Sequence, residues 1–591
     1  MRRVRCRCLT LLALPLLWVT SLAHAGVQLV VDGVGDNLKT AVSAGVELSQ
    51  YARRKISDAQ VRRLYDRAPA QAQSALRPYG YYDATVTGEL QQLGPDDWRV
   101  TLHVQPGAPV LVTAVELQLA PVADAIKPIQ RARRAIEHLK GQPLNDGAYE
   151  AVRDALSAQL TANGFLDAKL LTHRVEVTRA SHSAVIKLAW QTGPRYRFGK
   201  VNFVGSPFRP GFLARYVPFK SGSYFAQDEL LALQRALNGA DYFSVVNVQP
   251  DVGDAQHGVV DVTVQLVPAK RTVYTGGPFI GTDTGVGLQG GIERRWVNRR
   301  GHKWKNALVL AQRLKTLSTQ YTIPLPGPDQ RSLDFGANLR HATTTTSQSR
   351  TLELVADETR LWHGWQRTLG AHALSGTFTV GQHANEPDNA PGIDHGNSTL
   401  VFAAAALTRK QADNASFVQH GWSLTLAARS TVGALLSNTR FSQLTADAKW
   451  IHGFAGNNRL ILRGDAGTTW AGNFDALPPQ LRFFAGGASS VRGYGYQALG
   501  PKNSYGRVIG GRHLLVASSE VEHYFSRQWG IAAFVDAGNA FNGTDYRPRL
   551  GAGLGVRWRS PVGMVRVDLG TPIHNPDAHG IELHLVIGPD L

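Results

Sequence analysis

The segment Phe484-Ala-Gly-Gly-Ala-Ser-Ser-Val-Arg-Gly-Tyr494 lies deep in a C-terminal half that is built from short alternating strands. Its paired glycines predict a turn, because glycine adopts backbone angles that other residues avoid. The run that follows, Val491 to Tyr494, therefore places Arg492 on a loop tip. If the surrounding strands close into a membrane barrel, this loop can fold back inside, where Arg492 would need a carboxylate partner.

The strands around this loop alternate between apolar and polar residues with a period of two. A clear example is Gln443–Trp450, which carries Leu444, Ala446, Ala448 and Trp450 on one face and Gln443, Thr445, Asp447 and Lys449 on the other. A water-soluble sandwich gives the same alternation in a single strand. Here many strands carry ionised groups on the polar face, which is typical of an outer-membrane barrel with an apolar exterior and a polar lumen. Roughly 320 residues, at about 20 per strand and connection, predict about 16 strands.

The first residues predict a secretory signal peptide. A basic segment, the apolar run Leu9–Leu22 and an Ala-His-Ala sequence indicate cleavage after Ala25. The alternative is an N-terminal membrane anchor, but the run is short for a span of about 20 apolar residues. Both cysteines, Cys6 and Cys8, precede the apolar run, so we expect the mature chain to have no disulfide and no thiol chemistry.

The charge of the chain points to an anionic surface. The formal charge is +18, and removal of the four signal-peptide arginines leaves 18 − 4 = +14. Basic chains often bind nucleic acid or anionic surfaces. Export argues against nucleic acid and favours lipid phosphates or lipopolysaccharide, so we expect contact with outer-membrane lipid. No uncharged apolar run of about 18 residues follows the signal peptide, so no helical membrane span is expected.

The N-terminal part of the mature chain contains a weak internal repeat with a period of about 80 residues. Three segments align, namely Arg77–Val86, Thr161–Leu170 and Asn238–Asn247, and each follows a helical pattern and leads into a strand. The predicted order of each unit is strand, helix, helix, strand, strand. Gly80 and Gly164 are expected to end helices with positive φ, and the aromatic residue that follows each is expected to fill a core.

These features together resemble the BamA/TamA superfamily, barrel proteins that insert or export other proteins at outer membranes. The loop around Arg492 resembles its signature loop, and the repeats resemble its periplasmic modules, the POTRA domains. Three further stretches are similar to the superfamily: Gly281–His302, Glu520–Gly538 and Gly553–Asp568. The predicted organisation is a signal peptide at 1–25, POTRA domains at 26–110, 111–195 and 196–270, and a 16-stranded outer-membrane β-barrel at 271–591.

The resemblance implies a site inside the barrel. Its loop motif is Val491, Arg492, Gly493 and Tyr494, and Arg492 is expected to pair with Asp536, with Glu520 nearby. A buried guanidinium suits this role because it can form a bidentate fork with a carboxylate. On periodicity alone, Arg492 as a solvated loop residue is the alternative.

We further expect a weak seam between the first and last barrel strands, with one edge near Arg271–Ile280 and the other near Ile581–Ile587. An incompletely paired edge can accept a client strand by β-augmentation. The expected seam residues are Tyr274, Ile280, Ile581, Leu583, Leu585 and Ile587.

Three POTRA units on a chain of this length resemble the TamA branch of the superfamily. That resemblance implies a protein of the bacterial outer membrane, with POTRA domains in the periplasm, that helps to insert or translocate outer-membrane proteins such as autotransporters. It also implies a TamB-like, inner-membrane-anchored partner bound through the first POTRA domain, and a role in lipid transport with that partner is an alternative. One departure is that outer-membrane barrels usually end on an aromatic residue, whereas this sequence ends on Leu591.

Two further alternatives stay open: a two-partner-type secretion pore for one exoprotein, and a passive porin in which Arg492 has no functional role. Enzyme chemistry is not expected, because the sequence has no P-loop, no H-E-x-x-H and no G-x-S-x-G motif. The 19 histidines show no metal-ligand spacing, so neither a metal nor a cofactor is expected.

Overall fold

The computed structural model describes residues 26–591 except 53, 55, 96, 255–257, 326–329, 382–390, 415, 434–435, 561–562, 574–579 and 589. The predicted signal peptide and its two cysteines therefore lie outside the described residues. Packing divides the chain into two compact units. The first contains the described residues up to Lys200 with Ser221–Glu229 and Asp251–Asp261, and the second contains Val201–Lys220, Leu230–Pro250 and Val262–Leu591.

Three small α+β units precede the barrel, each with a three-stranded sheet. The first contains β1 (Val27–Asp32), α1 (Asp36–Gly45), α2 (Asp58–Leu76), β2 (Thr85–Gly94) and β3 (Asp97–Gln105). The second contains β4 (Leu111–Gln118), α3 (Pro121–Asp124), α4 (Lys127–Glu137), α5 (Asp146–Ala162), β5 (Lys169–Thr178) and β6 (Ser183–Gln191). The third contains β7 (Arg197–Val204), α6 (Pro210–Leu213), α7 (Gln227–Gly239), β8 (Phe243–Pro250) and β9 (Val259–Pro268). The sheet orders are β1-β3-β2, β4-β6-β5 and β7-β9-β8. The predicted three α+β units are thus confirmed.

The repeated glycines have the expected backbone. Gly80 has a φ of 85° and Gly164 a φ of 98°. A Cβ on Gly80 would lie 2.8 Å from the carbonyl oxygen of Leu144, so only glycine fits there. The side chain of Phe165, which follows the second of these glycines, is buried in the core of the second unit. These residues contribute to packing within and between the first two α+β units.

The C-terminal part forms one antiparallel sheet of sixteen strands, as predicted. In chain order these are β10 (Thr272–Gly281), β11 (Gly285–Arg294), β12 (Lys303–Ala311), β13 (Leu314–Pro324), β14 (Ser332–Thr343), β15 (Ser347–Trp362), β16 (Trp365–Val380), β17 (Asp394–Ala412), β18 (His420–Thr431), β19 (Phe441–Phe454), β20 (Asn458–Ala471), β21 (His513–Tyr524), β22 (Trp529–Phe541), β23 (Arg549–Ser560), β24 (Gly563–Ile573) and β25 (Glu582–Gly588). The sheet curves into a nearly closed barrel. We call its rim at the start of β10 the near rim and the opposite one the far rim.

The two faces of the strands differ in the way expected for a membrane barrel. On β21 the residues Ser518, Glu520 and Glu522 are buried in the interior, whereas Leu515 and Val521 are exposed on the outside. Apolar side chains thus face outward and ionised ones inward, the reverse of a water-soluble sheet. No helix in the described part of the chain is long and apolar enough to cross a membrane.

The segment between β20 and β21, residues 472–512, returns into the barrel. Its residues Phe474, Leu477 and Leu481 pack against inward-facing apolar side chains of β16, β17 and β19. Further along, Val491 and Tyr494 are buried in a second cluster with Val516 of β21. Burial of these apolar side chains fixes the loop inside the barrel and brings its Arg492 to the wall.

Candidate functional site in the barrel lumen

Arg492 donates hydrogen bonds to carboxylates on three strands. Its Nε and Nη2 donate to the two carboxylate oxygens of Asp536 on β22 at 2.8 and 2.9 Å, and its main-chain N–H donates to the same side chain at 2.9 Å. Its Nη1 donates to Glu520 on β21 at 2.6 Å and to Asp568 on β24 at 3.1 Å. The guanidinium carbon lies 3.5 Å from the ring centre of Phe534. Arg492 is 5% exposed and Asp536 is fully buried, so this fork joins the loop to the wall out of contact with solvent.

The wall beside the loop tip carries glycine where the loop main chain approaches it. A Cβ on Gly551 of β23 would lie 1.9 Å from the carbonyl oxygen of Arg492, and one on Gly570 of β24 would lie 2.6 Å from the nitrogen of Gly493. Gly493 has a φ of 91°, and its N–H donates to Nε2 of His584 on β25 at 2.9 Å. The loop is therefore seated by main-chain contacts that a side chain at these positions would block.

A second buried arginine, Arg557 on β23, shares two of the acids that Arg492 binds. Its Nη1 donates to Asp568 at 2.6 Å and its Nη2 to Glu520 at 2.6 Å, in each case to the oxygen that Arg492 does not use. Its Nε also donates to Glu522 at 2.9 Å. Glu520 and Asp568 thus each bridge two guanidinium groups, which compensates the cost of burying them.

A third buried arginine, Arg459 on β20, extends the network to the end of the sequence. Its Nε donates to Glu522 at 2.8 Å and its Nη1 to Asp590 at 2.7 Å. Asp590 also accepts from Arg566 on β24 at 2.6 Å and from the main-chain N–H of Val418 at 3.0 Å. The resulting lumenal network consists of Arg459, Arg492, Arg557, Arg566, Glu520, Glu522, Asp536, Asp568 and Asp590.

The last two residues, Asp590 and Leu591, leave the wall and lie inside the barrel, close to the rim at which β10 starts. Lys410 on β17 donates to the carbonyl oxygen of Leu591, and Lys449 on β19 donates to that of Asp590. The Leu591 side chain packs on Val418, Ile451 and Ile461. Among the strands that the structure describes, β25 pairs in the wall only with β24, so these residues reach β17 to β20 through the interior. Leu591 therefore packs inward, in an apolar pocket of the lumen.

Strands β10 and β25 share no backbone ladder in the described part of the barrel. Between them, the N–H of Thr282 donates to the carbonyl of Leu585, and the N–H of Leu585 donates to the Thr282 hydroxyl, both at a long 3.4 Å. Of the expected seam residues, Leu585 lies at this contact. The others have exposed side chains: Tyr274, Ile280, Ile581, Leu583 and Ile587.

Arg492, Asp536 and Glu520 were expected from the sequence to lie together, and the structure places all three in hydrogen-bond contact. The other members of the network and His584 were not assigned to the site from the sequence: Asp568, Glu522, Arg557, Arg459, Arg566, Asp590 and His584. The available signal was that ionised residues recur at inward positions of successive strands, but their pairing depends on strand alignment across the barrel. Within the described residues, no group of acids and histidines is arranged to hold a metal ion.

Comparisons with known proteins agree with this architecture. The Omp85 superfamily domain matches residues 297–589. The first POTRA domain of the TamA type matches residues 28–106, and the POTRA family described as a surface antigen variable number repeat matches residues 196–269.

Two curated relatives are outer membrane protein assembly factors BamA. The protein from Nitratidesulfovibrio vulgaris is 22% identical over 375 residues, which cover 62% of this chain and 47% of the relative. The protein from Neisseria meningitidis serogroup B is 21% identical over 517 residues, which cover 68% of this chain and 64% of the relative. The chain thus spans about half of the first relative's length and less than two thirds of the second's.

Among solved structures, the fold is similar to the crystal structure of BamA from Haemophilus ducreyi lacking POTRA domains 1–3. The TM-score is 0.65 at 17% sequence identity, and the match covers 81% of this chain and 99% of the other. The barrel lies in the outer membrane and the POTRA domains lie in the periplasm, so the near rim is periplasmic and the far rim extracellular. The chain belongs to the Omp85 superfamily of outer-membrane barrels that carry periplasmic POTRA domains.

Proposed function

We propose that this protein inserts or translocates other outer-membrane proteins, and that their strands enter at the seam between β10 and β25. The observation that carries this proposal is the edge of β10. Its ten residues pair with β11 on one side, and on the other side β25 provides no ladder in the described residues. An unpaired strand edge is a template for β-augmentation, since its N–H and C=O groups are free to bind another strand.

The interior contacts of the tail support an incomplete seam. Asp590 and Leu591 are held by Arg459, Lys410 and Lys449, which lie on strands remote from β10. These contacts hold Asp590 and Leu591 in the lumen, and β25 itself ends at Gly588, so neither continues along the periplasmic half of β10. A client strand entering there would find a backbone edge next to the lipid. Client folding, which buries lipid-facing apolar surface and completes strand hydrogen bonds, would supply the driving force without nucleotide.

The lumenal network would keep the other side of the seam rigid. Arg492 joins β21, β22 and β24 through Glu520, Asp536 and Asp568, and Gly493 contacts β25 through His584. A rigid wall next to a free edge localises the opening to one place. In this proposal the loop is a brace, and the seam is the site of client entry.

We also propose that the protein acts as the TamA-type subunit of a translocation and assembly module. Autotransporters would be typical clients, and a TamB-like, inner-membrane-anchored protein would bind the first POTRA domain. The match of residues 28–106 to the TamA-type POTRA domain supports this choice. The first sheet ends on β1 and β2, and these edges could accept a strand of the partner.

A disulfide across the seam tests client entry. We expect Thr282→Cys with Leu585→Cys to lock the edges, because the two main chains approach to 3.4 Å there. Oxidised protein in proteoliposomes should not assemble an autotransporter barrel, and reduction should restore assembly. A matched control is Tyr274→Cys with Ile292→Cys, which joins β10 to its existing partner β11. Normal assembly by the locked protein, or equal loss in the control, would contradict the seam proposal.

A crosslinked pull-down from native envelopes tests the partner. Recovery of a large TamB-like protein crosslinked to the first POTRA domain would support the assembly-module role. Recovery of one secreted exoprotein without such a partner would favour a dedicated secretion pore instead.

A further inference from the structure

Three basic residues form a row on the outer surface of the barrel. Lys315 on β13 is in register with His341 on β14, which is in register with Arg350 on β15. Lys315 and Arg350 are exposed and His341 is partly exposed. We call this set the outer cationic row. Cross-strand neighbours lie about 5 Å apart, so Lys315 and Arg350, on either side of His341, lie about 10 Å apart at their Cβ atoms, within reach of one lipid headgroup through their long side chains.

No carboxylate neutralises the outer cationic row among the residues that the structure describes. The Nε of Arg350 donates to Nδ1 of His341 at 3.1 Å, and neither Arg350 nor Lys315 has an ion pair there. Arg350 therefore uses one of its donors within the row and presents its Nη groups for a ligand. Because Nδ1 of His341 accepts this hydrogen bond, His341 is neutral, and Lys315 and Arg350 are the two cations of the row, one on each side of it.

The periplasmic rim of the same wall provides a contrast. There the outward-facing cations Arg331 and Arg367 both bind Glu358 of β15, through contacts of 2.5 and 3.4 Å. The protein thus supplies its own counter-charge at one rim. At the other rim, no carboxylate of the described residues forms an ion pair with Lys315 or Arg350.

The position of the row fits the boundary of the outer leaflet. A row of exposed apolar side chains lies on the same face of these strands, two positions closer to the periplasm. It consists of Leu317, Leu339 and Leu352, which are in register with one another. That spacing is about 7 Å along the strands. On the other side of the row lie the extracellular hairpins at 312–313 and 344–346. The outer cationic row therefore lies where acyl chains end and headgroups begin.

We propose that the outer cationic row binds the phosphate groups of an outer-leaflet lipid, with the apolar row below it contacting the acyl chains. The ligand class is a phosphorylated glycolipid such as lipid A. The guanidinium of Arg350 and the ammonium of Lys315 bind the phosphate by charge-assisted hydrogen bonds. This site is separate from the seam and does not depend on the function proposed above.

The test is a titration of the full-length protein in detergent with bisphosphorylated lipid A, followed by native mass spectrometry. We expect Lys315→Gln with Arg350→Gln to weaken binding about 25-fold, since each cation near a lipid headgroup contributes about fivefold. Lys315→Arg with Arg350→Lys should bind as the unmodified protein does. The matched control is Arg331→Gln with Arg367→Gln, which removes two outward cations at the periplasmic rim and should change binding less than twofold.

Further arms of the titration identify the source of the phosphate. Dephosphorylated lipid A should bind as weakly as the double variant does, and inorganic phosphate at the same concentrations should not displace lipid A. Equal binding by the double variant, equal binding of dephosphorylated lipid A, or displacement by phosphate alone would each overturn the proposal. Heat-modifiable migration on gels checks that the barrels are folded. If the double variant does not fold, Arg350→Gln alone should weaken binding about fivefold, and unchanged binding would refute the site.

Discussion

Replacing Arg492 with methionine should undock the loop tip from the barrel wall. Methionine keeps an unbranched side chain but removes the guanidinium, which donates to Asp536, Glu520 and Asp568. Glu520 and Asp568 would keep Arg557 as a partner. Asp536 would keep, among the described residues, only the main-chain N–H of residue 492 and the hydroxyl of Ser518 as hydrogen-bond donors. Removing one partner of a buried ion pair costs about 3–5 kcal/mol. The equilibrium for undocking should therefore rise by between about 10² and several times 10³.

Cysteine labelling measures this equilibrium. Val491 is fully buried beside Arg492, so the reporter Val491→Cys should react with a maleimide only when the loop tip leaves the wall. We expect Arg492→Met to raise the labelling rate by at least about 10²-fold. Arg492→Lys should give an intermediate rate, because one ammonium keeps the charge but cannot form the bidentate fork.

A double-mutant cycle separates ion pairing from a general loss of packing. If Asp536 is the acid left unpaired, adding Asp536→Asn to Arg492→Met should cost about 0.5–3 kcal/mol less than the sum of the single changes. A labelling rate of Arg492→Met within about threefold of the parent would refute the reasoning. So would full additivity of the two changes.

Three other changes probe the loop, the tail and the POTRA side. Gly493→Ala should raise the labelling rate at least about tenfold in the same assay, because Gly493 has a φ of 91° and the added Cβ would lie 2.7 Å from a main-chain carbon of β24. The control Gly495→Ala, whose added Cβ has its nearest neighbour at 3.8 Å, should change the rate less than about threefold. Asp590→Asn should raise the rate of maleimide labelling of a Leu591→Cys reporter about tenfold or more, because the side chain loses its charge-assisted hydrogen bonds to Arg459 and Arg566. An unchanged rate would show that other contacts hold the tail. Burial raises the pKa of Tyr216 to about 12, so the unfolded chain loses the phenol proton at lower pH than the folded protein does. The difference in thermal stability between the parent and Tyr216→Phe should therefore be constant below pH 10, and the parent should lose stability relative to the variant between pH 10 and 12. A constant difference across that range would contradict this prediction.

The class of fold and its strand count could be read from the sequence because side chains alternate along a strand. Gln443–Trp450 and its neighbours carry ionised and apolar residues on opposite faces, and the length of the region sets the number of strands. The repeat around Gly80 and Gly164 likewise predicted three α+β units, since helix ends at glycine are local features. These predictions need no knowledge of which segments meet in space.

The site could be predicted only where a motif resemblance supplied the pairing. Arg492, Asp536 and Glu520 were named in this way, and the structure places them in hydrogen-bond contact. The sharing of Glu520 and Asp568 with Arg557 was not predicted. It depends on the register of four neighbouring strands, and no single strand pattern encodes that register.

The sequence by itself determined the alternating strands, the repeated units and the loop arginine, because periodicity and turn chemistry act over a few residues. Only the tertiary structure decided how the seam and the tail are arranged. Arg459 and Asp590 are 131 residues apart, and their contact exists because the barrel closes and Asp590, beyond the end of β25, lies inside it. Lys315, His341 and Arg350 also form a row only through strand register. Contacts of this kind follow from the alignment of whole strands around the barrel, which local sequence signals do not specify.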